Sequence, residues 1–352
     1  MSRTICLTMS LLFGSGLLAA TSVAQDAPEE KESPWLLTPT ISSDPKLGTN
    51  IGAMGAYLHQ FDEASNVSMF GGFANYSDTD SYMGGGFGDM YWNANQHKII
   101  FGAVGGTIRN EYEDFLGSGL KVKTEDDLKV LFFRYSQLVA PQWYVGGQVM
   151  ATNYAIGAEG IGSGILDLIG LTGFDSNGLG LVAEFDSRDN VRNATKGQHF
   201  VVHNIAYRES LGGDESFDAL NGEYVNYLPF GDDHVLAIQV QGRWTHDAPL
   251  GGYSSVTLRG YTRGNYLDEH YTHIDADARF HISGPWGVTA FAGLGCLYAK
   301  VSDCSDSEDL YASAGAGVSY LLKPEAGVVI RAEYAVGEKD NSAFYLRIGQ
   351  PF

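Results

Sequence analysis

Residues 342–352 read SAFYLRIGQPF, and larger apolar side chains alternate with polar or small ones along most of this stretch. Because successive side chains of a β-strand point to opposite faces, this segment offers one face to oil and one to a polar interior. One face carries Phe344, Leu346, Ile348 and Phe352, and the other carries Tyr345, Arg347, Gly349 and Pro351. The pattern predicts the closing strand of a transmembrane β-barrel, which pairs with the first strand to remove the sheet edge. An ordinary strand of a soluble β-domain is the alternative.

The composition favours an all-β membrane protein over a helical or a nucleic-acid-binding one. The chain has 45 glycines, 44% hydrophobic residues and a formal net charge of −20. Nucleic-acid binding needs basic patches, so this acidic balance argues against a nucleic-acid partner. After residue 24 no run of about 18 apolar residues occurs, so no transmembrane helix is predicted. A glycine-rich, aromatic-rich sequence with regularly spaced turns is typical of a β-sandwich or β-barrel.

The first residues have the features of a secretory signal. Arg3 precedes a short apolar run, and Ser22-Val23-Ala24 offers a cleavage site between small residues. We therefore predict a signal peptide over residues 1–24. Residues 25–33 are polar and acidic, which predicts a short disordered lead. The barrel is predicted to occupy residues 34–352.

Alternation and turn signals predict sixteen antiparallel strands. Their predicted ranges are 34–42, 47–60, 65–76, 81–92, 97–108, 127–139, 142–155, 177–187, 198–210, 215–228, 232–246, 270–283, 286–300, 308–323, 326–337 and 342–352. Connections after even-numbered strands are mostly tight, whereas several after odd-numbered strands are long, namely 109–126, 156–176 and 247–269. Short turns at one end and long loops at the other are typical of an outer-membrane barrel with both termini in the periplasm.

The polarity of single strands indicates which face lines the lumen. In the predicted strand 270–283, alternate positions hold His273, Asp275, Asp277, Arg279 and His281. A charge on the lipid face near mid-membrane costs roughly 2–4 kcal/mol, so this face is expected to point inward. The same pattern places Arg331 and Glu333 inside. All tryptophans fall near predicted strand ends, as interfacial residues do: Trp35, Trp92, Trp143, Trp244 and Trp286.

Three short motifs go beyond a generic barrel. The longest predicted loop contains Val256-Thr257-Leu258-Arg259-Gly260-Tyr261. The turn after the eighth strand contains Phe185-Asp186-Ser187-Arg188-Asp189-Asn190, followed by Thr195-Lys196-Gly197, and the last strand closes with Ile348-Gly349-Gln350-Pro351-Phe352. These motifs resemble the bacterial surface antigen family, the BamA/TamA superfamily of barrels involved in outer-membrane assembly and export. The resemblance covers residues 177–352 well, and the N-terminal half fits only in its strand pattern.

The resemblance implies roles for three groups of residues. The loop motif Leu258, Arg259, Gly260 and Tyr261 is expected to fold back into the lumen. The turn residues Asp186, Arg188, Asp189 and Gly197 are expected to be structural, and Tyr345, Ile348, Gly349 and Phe352 match the family's C-terminal assembly signal. Family members usually have two prolines in the turn, where Val191 and Ala194 stand here. Without the resemblance, the turn is interpreted as a surface ion pair worth about 0–1 kcal/mol.

Family members pair the loop arginine with acidic residues on the twelfth and thirteenth strands. Asp277 fits the first position, because it lies on the predicted lumen face. The second position aligns with Gly293, so that acid is missing, and Asp275 is the candidate substitute. A guanidinium in a narrow lumen needs carboxylate partners. The alternative, which the residues alone favour, is that Arg259 is a solvated loop arginine.

Typical members of the family also carry POTRA domains, which capture client proteins. Only the short lead precedes the predicted barrel, so the chain resembles the barrel-only branch of the family. A client-binding part is then expected to be a separate protein or not to be needed.

Few residues are candidates for covalent or catalytic chemistry. Cys296 and Cys304 flank a predicted loop and are a candidate disulfide, although spacing alone does not establish the geometry. Two cysteines fall short of a zinc site, and His270 and His273 would face opposite ways on a strand. No G-x-S-x-G motif occurs. We therefore expect no metal, no cofactor and no enzymatic activity.

The resemblance implies insertion, secretion or surface display of other molecules at the outer membrane. The mechanism would be a weak seam between the first and last strands, since Pro34, Pro39 and Pro351 cannot donate backbone hydrogen bonds there. The alternatives are a passive channel or transporter component and a structural, surface-binding barrel. The expected partners are outer-membrane lipid and lipopolysaccharide, the barrel-assembly machinery for the chain's own insertion, and a separate periplasmic or surface protein.

Overall fold

The computed structural model describes residues 33–44, 48–112, 122–153 and 174–352. Within it, Pro34–Phe352 forms one compact unit. The predicted signal peptide lies outside the described residues, as does all of the predicted lead except Ser33. Parts of the two predicted loops 109–126 and 156–176 also lie outside them.

Sixteen antiparallel strands close into one barrel, which confirms the predicted fold class. Their bounds are β1 Trp35–Asp44, β2 Gly48–His59, β3 Ser68–Ser77, β4 Tyr82–Trp92, β5 His97–Tyr112, β6 Val122–Ala140, β7 Trp143–Thr152, β8 Ser176–Asp186, β9 Gly197–Tyr207, β10 Phe217–Phe230, β11 His234–His246, β12 His270–Ser283, β13 Trp286–Tyr298, β14 Leu310–Lys323, β15 Val328–Gly337 and β16 Ser342–Ile348. Each strand pairs with its sequence neighbours, and β16 returns to pair with β1. No helix in the described part of the chain is long and apolar enough to cross a membrane.

The two ends of the barrel differ in their connections. We call the end where β1 begins the turn end and the opposite end the loop end. Gly231 and Gly284 each take a φ of +55° in tight connections at the turn end, a conformation that glycine adopts without the steric cost of a Cβ atom. The long connection 247–269 lies at the loop end, as predicted, but the sorting is incomplete: 78–81 and 338–341 at that end have four residues each, and 187–196 at the turn end has ten.

Each strand presents one face to the lumen and one outward. On β12, Asp277 is 0% exposed, whereas Ile274 on the opposite face is 48% exposed. Other outward apolar side chains include Leu37, Leu131, Leu181, Val240 and Val318. Four tryptophans join this outer surface at the turn end, and they are Trp35, Trp92, Trp143 and Trp286. An apolar outer band with an aromatic border is the surface that a barrel presents to lipid.

The lumen is not uniformly polar, which differs from the expectation. The inward faces of β2–β7, β9 and β10 carry a packed apolar cluster of Ala56, Met69, Phe73, Met83, Phe87, Val104, Ile108, Leu128, Val130, Phe132, Met150, Ile205, Tyr207, Phe217 and Ala219. β2–β5 and β7 are rich in glycine and carry small or apolar residues on both faces, so polar–apolar alternation does not identify their lumen face. The buried charges on β12 and β15 lie in the half that the alternation did predict.

β16 ends at Ile348, so the predicted strand to Phe352 is four residues too long. Gly349 has a φ of +93°, which turns the chain away from the sheet, while its amide still donates to the Val329 carbonyl oxygen at 2.7 Å. Phe352 therefore packs on inward-facing side chains, and its predicted position on the lipid face is wrong.

Candidate functional site

The connection 247–269, which we call the long loop, packs against the inward faces of β12–β14. It contains a 3-10 turn at Leu250–Gly252 and a two-residue ladder joining Ser254–Ser255 to Leu267–Asp268. Val256 and Leu258 are 0% and 2% exposed, although neither lies in a strand. They form one apolar cluster with Tyr261, Tyr266, Tyr271, Leu297 and Tyr311. Arg259 itself is only 6% exposed, so the alternative of a solvated loop arginine is wrong.

The Arg259 side chain, which is 6% exposed, contacts three carboxylates. Its Nη1 lies 2.8 Å from Asp277 Oδ2 and 3.2 Å from Glu333 Oε1, and its Nη2 lies 3.1 Å from Asp275 Oδ2. The Arg259 Cζ atom also lies 3.4 Å from the centre of the Phe291 ring. Simultaneous pairing and stacking suit a planar guanidinium and not an ammonium group. The structure thus brings Arg259 together with both predicted acids.

Sequence reasoning missed Glu333 as a partner of Arg259. Glu333 lies on β15, 74 residues further along the chain. The polarity pattern had already placed it on the lumen face, and that was the available signal. The pattern does not give the height of a residue along the lumen, so it could not identify which inward charges meet.

The lumen face of β13 has no room for an acidic side chain at Gly293. A Cβ atom on Gly293 would lie 2.5 Å from Leu258 Cδ2, so the long loop occupies the space that a side chain would need. Asp275 is the direct cross-strand partner of Gly293. It therefore supplies a carboxylate from the neighbouring strand at the same level of the barrel.

The contacts of Arg259 extend into a larger group of buried charges. Asp277 also lies 2.9 Å from Arg331 Nη2 and 3.1 Å from Arg279 Nε, and Arg331 pairs with Glu333 at 2.5 Å. We call these six residues the ion cluster: Asp275, Asp277, Glu333, Arg259, Arg279 and Arg331. Within these six residues three carboxylates face three guanidiniums, and a fourth guanidinium, that of Arg347, lies 3.6 Å from Glu333 Oε2, so each buried carboxylate has a cationic partner.

The two residues after Arg259 attach the long loop to the last strands. The Gly260 amide donates to the Tyr345 hydroxyl of β16 at 3.1 Å. The Tyr261 hydroxyl accepts from the Glu338 amide at 2.7 Å, in the connection between β15 and β16. A Cβ atom on Gly337 would lie 2.6 Å from the Tyr261 ring, so this glycine makes room for the tyrosine. The loop motif therefore contacts the strand that forms the seam.

The predicted turn residues 186–197 form a compact local structure. Asp186 pairs with Arg188 at 2.6 Å, and their side chains are only 12% and 11% exposed, so the surface ion-pair alternative is wrong. The Thr195 amide donates to Asp189 Oδ1 at 2.9 Å. Burial raises the pKa of the Asp189 carboxyl, but hydrogen bonds from Thr195 and the following amide outweigh it and hold that pKa below its usual value. Gly197 has a φ of +104° where β9 begins.

The same turn reaches across to distant strands at the turn end. Arg192 pairs with Asp89 of β4 at 2.7 Å. The Ala194 carbonyl oxygen accepts a hydrogen bond from Arg279 of the ion cluster at 3.3 Å. Neither the motif nor the spacing predicted these contacts, because both partners lie far away in the sequence.

Residues 349–352, which we call the tail, also join the ion cluster. Gln350 Oε1 accepts from Arg331 at 2.5 Å, and Gln350 Nε2 donates to Asn193 Oδ1 at 2.7 Å. The Phe352 carbonyl oxygen accepts from Arg279 Nη2 at 3.2 Å. The tail, the turn 186–197 and the long loop therefore all contact one group of charges.

Cys296 and Cys304 are disulfide-bonded, with their Cα atoms 5.8 Å apart. The bond joins the end of β13 to a 3-10 turn at Val301–Ser305 in the following connection. It lies at the loop end and restrains that connection beside the long loop.

A second polar group lies near the turn end. Glu184, Asp186 and His199 place potential ligand atoms within 4.8 Å of one another. Lys98 Nζ lies 2.5 Å from Glu184 Oε1, and Arg188 is bonded to Asp186. Two cationic side chains therefore already neutralise these carboxylates. His270 and His273 lie on a different strand, β12, and take opposite faces of it, as expected.

Comparisons with known proteins agree with this geometry. Residues 168–352 match the model of the Omp85 superfamily domain. A search of the curated proteins finds no match. Among solved structures, the chain is similar to BamA from Haemophilus ducreyi lacking POTRA domains 1-3, with 12% identity, a TM-score of 0.53, and coverage of 90% of this chain and 70% of that one. It is also similar to CdiB from Acinetobacter baumannii, with 10% identity, a TM-score of 0.59, and coverage of 90% and 59%. At such identities the likeness shows a shared fold.

Proposed function

The chain belongs to the Omp85 superfamily, and from that premise we propose that it assists the insertion or secretion of other polypeptides at the outer membrane. The route would be the seam between β1 and β16. This extends the coarser conclusion that the chain is an outer-membrane barrel of the BamA and CdiB type.

The observation that carries the proposal is the shortness of the seam. β1 and β16 pair through three residue pairs, Ile41–Leu346, Ser42–Tyr345 and Ser43–Phe344. By contrast, β1 and β2 share ten pairs, and β15 and β16 share seven. A backbone hydrogen bond contributes about 0.5–1.5 kcal/mol net, so the seam is the junction with least to lose on opening.

The unpaired part of β1 supports a role in strand capture. Residues Leu36 to Thr40 pair with β2 and have no β16 partner in the described chain. The tail turns inward at Gly349 and leaves this edge uncovered. A strand edge with available amide and carbonyl groups is a template for another strand, and Pro39 removes only one donor from it.

Cysteine crosslinking is expected to show where the seam is closed. In a variant without Cys296 and Cys304, the pair Ser43→Cys/Phe344→Cys should crosslink efficiently, because the two residues face each other. The pair Pro39→Cys/Ile348→Cys should crosslink poorly, although the same register would align them. The matched control, Pro39→Cys/Ala53→Cys, places the same cysteine against its β2 partner and should crosslink well. Equal yields for all three pairs would contradict a seam that is open toward the turn end.

The function itself is tested by locking the seam. The purified chain in lipid vesicles is expected to speed the folding of an unrelated outer-membrane barrel supplied unfolded in urea. Oxidation of the Ser43→Cys/Phe344→Cys variant should remove that acceleration, and a reductant should restore it. The locked Pro39→Cys/Ala53→Cys variant is the control and should keep its activity. An equal folding rate with locked and unlocked seams would refute the proposed route.

The outer surface and the long loop bear on what surrounds the barrel and what passes through it. The apolar outer band supports contact with outer-membrane lipid and lipopolysaccharide, with the turn end in the periplasm. Burial of Val256 and Leu258 supports a lumen closed by the long loop, which disfavours a passive channel. We propose in addition that the barrel-assembly machinery inserts the chain, and that a separate periplasmic or surface protein presents the client.

A further inference from the structure

The polar group near the turn end, which the ion cluster does not include, is centred on His199 of β9. The His199 ring lies between carboxylates on the two neighbouring strands. Its Nε2 is 2.9 Å from Glu184 Oε1 on β8, and its Nδ1 is 3.5 Å from Glu223 Oε1 on β10. The side chains of His199 and Glu184 are only 13% and 2% exposed. An ionised carboxylate can only accept hydrogen bonds, so both ring nitrogens face groups to which they bind by donating.

Further contacts show that the two carboxylates act as ionised acceptors. Lys98 Nζ lies 2.5 Å from Glu184 Oε1, on the far side from the His199 ring. Gln239 Nε2 donates to Glu223 Oε2 at 3.0 Å. The Gln239 amide is held in this orientation because its Oε1 accepts from His273 Nε2 at 3.3 Å. Both carboxylates therefore receive donors besides His199, and neither has to carry a proton of its own.

The charge count leads to the same protonation state of His199. The charged and titratable groups around the ring are Lys98 on β5, Glu184 and Asp186 on β8, Arg188 in the turn 186–197, Glu223 and Tyr227 on β10, and His273 on β12. Among them are three carboxylates and two permanently charged cations. A proton on His199 supplies the third positive charge, without which one inward carboxylate would lack a cationic partner.

A second histidine on the inward face of β9 has the opposite surroundings. Gln148 Oε1 accepts from Arg134 Nε at 2.8 Å, so the Gln148 Nε2 group is the donor toward His203 Nδ1 at 3.0 Å. This nitrogen of His203 has to accept, which only a neutral imidazole can do. One strand thus carries a histidine between two acceptors and, four residues on, a histidine that faces a donor. Such contrasting surroundings are how a fold sets two groups of one type to different charges.

We propose that His199 is an imidazolium at neutral pH and acts as a pH-sensitive tie between β8 and β10. While it is protonated, the ring donates to Glu184 and Glu223 together. When it loses its proton, one ring nitrogen becomes an acceptor that faces a carboxylate, so repulsion replaces an ion pair. Asp186 is the cross-strand partner of His199, so the tie lies where the turn 186–197 begins. Its release at alkaline pH loosens the attachment of this turn to the barrel.

Nuclear magnetic resonance measures the protonation state directly, on the purified full chain in detergent micelles with ¹⁵N-labelled histidine. At about pH 7.5 the His199 ring is expected to show two protonated nitrogens, and the His203 ring only one. The variants His199→Gln and His203→Gln assign the two signals by removing one each. A neutral His199 ring at this pH would overturn the proposal. So would a His199 signal that changes when a chelator is added, because the group around Glu184 would then hold a metal ion.

Urea unfolding at about pH 6 and about pH 9.5 measures the effect of the tie on stability. Stabilisation by a protonated His199 is present at the lower pH and lost as the ring is deprotonated. His199→Gln should therefore lower the urea midpoint clearly at the lower pH and much less at the higher one. Heat-modifiable migration verifies that each variant folds.

Two histidine variants serve as controls for the same measurement. His203→Gln should keep its full effect at the higher pH, because the His203 ring is neutral at both values. His246→Gln changes a side chain that is 81% exposed, so it should leave the midpoint unchanged at both. An equal loss for His199→Gln at the two pH values would mean that the ring only fills space, and the tie would be refuted.

Discussion

Replacing Arg259 with alanine is expected to lower the free energy of unfolding by about 3–5 kcal/mol, because buried carboxylates lose their cation. Asp275 is the most affected, since within the described chain its side chain accepts hydrogen bonds from Arg259 alone. Asp277 and Glu333 keep Arg331 as a partner, which limits the loss. The measurement is urea unfolding of the purified barrel in detergent, followed by tryptophan fluorescence.

Two further variants make this result specific to the buried cluster. Asp218→Ala removes an ion pair with Arg208 in which both side chains are well exposed, so it should cost only about 0–1 kcal/mol. Arg259→Lys keeps the charge but cannot engage three carboxylates and stack on Phe291 at once. Its loss in the free energy of unfolding should therefore lie between those of Arg259→Ala and Asp218→Ala. A loss for Arg259→Ala no greater than that for Asp218→Ala would show that the cluster does not stabilise the barrel.

The fold could be predicted because its main signal is local. On β12 the alternation of Ile274 with Asp275 and Asp277 is visible in the sequence, and burial follows it from Tyr271 to Arg279, whereas His281 beyond them is exposed. Tight turns and long connections add a second local signal, which fixed the strand count and the two ends. The same reasoning failed for the lumen of β2–β7, where apolar residues on both faces leave no contrast to detect.

The site could be predicted only as far as the family motif reached. Arg259, Asp277 and Asp275 came from that motif, but Glu333 did not, because the motif expects an acid on β13. Alternation gives the face of a residue but neither its height in the lumen nor its neighbours across the barrel. The inward path of Phe352 was missed for a related reason, since one glycine conformation at Gly349 redirects the chain.

The ion cluster gives the barrel a physical link between its two ends. Arg259 brings in the long loop, Arg279 contacts the turn 186–197, and Arg331 contacts the tail through Gln350. Asp277 touches all three arginines, with distances of 2.8, 3.1 and 2.9 Å. Buried ion pairs cost more to break than they contribute in forming, so a change at one of these segments is expected to disturb the others. β16, one of the two seam strands, is linked to both segments: its Tyr345 hydroxyl accepts a hydrogen bond from Gly260 of the long loop, and the tail follows its last residue.

Introducing the acid that family members carry, through Gly293→Asp, is expected to destabilise this chain. The new Cβ atom would lie 2.5 Å from Leu258 Cδ2, and overpacking of this kind costs about 1–3 kcal/mol. The added carboxylate would also enter a buried group whose arginines are already paired with three carboxylates, so the loss should exceed that of Gly293→Ala. Gly222→Ala is the control for the glycine change, since its nearest neighbour would lie at an ordinary 3.5 Å. Urea unfolding measures all three variants.

Leu258→Ala provides the decisive comparison, because it removes the atom that the new side chain would strike. Alone, it leaves a cavity at a buried position and should lower the free energy of unfolding by about 2–5 kcal/mol. Combined with Gly293→Asp, it should lower the free energy of unfolding by less than the sum of the two single losses. The difference, which is the coupling free energy, should be about 0.5–3 kcal/mol. Strict additivity would mean that Leu258 and residue 293 do not compete for one space. A stabilising Gly293→Asp would mean that the arginines of the ion cluster accept a further carboxylate, and that Asp275 does not replace the missing acid.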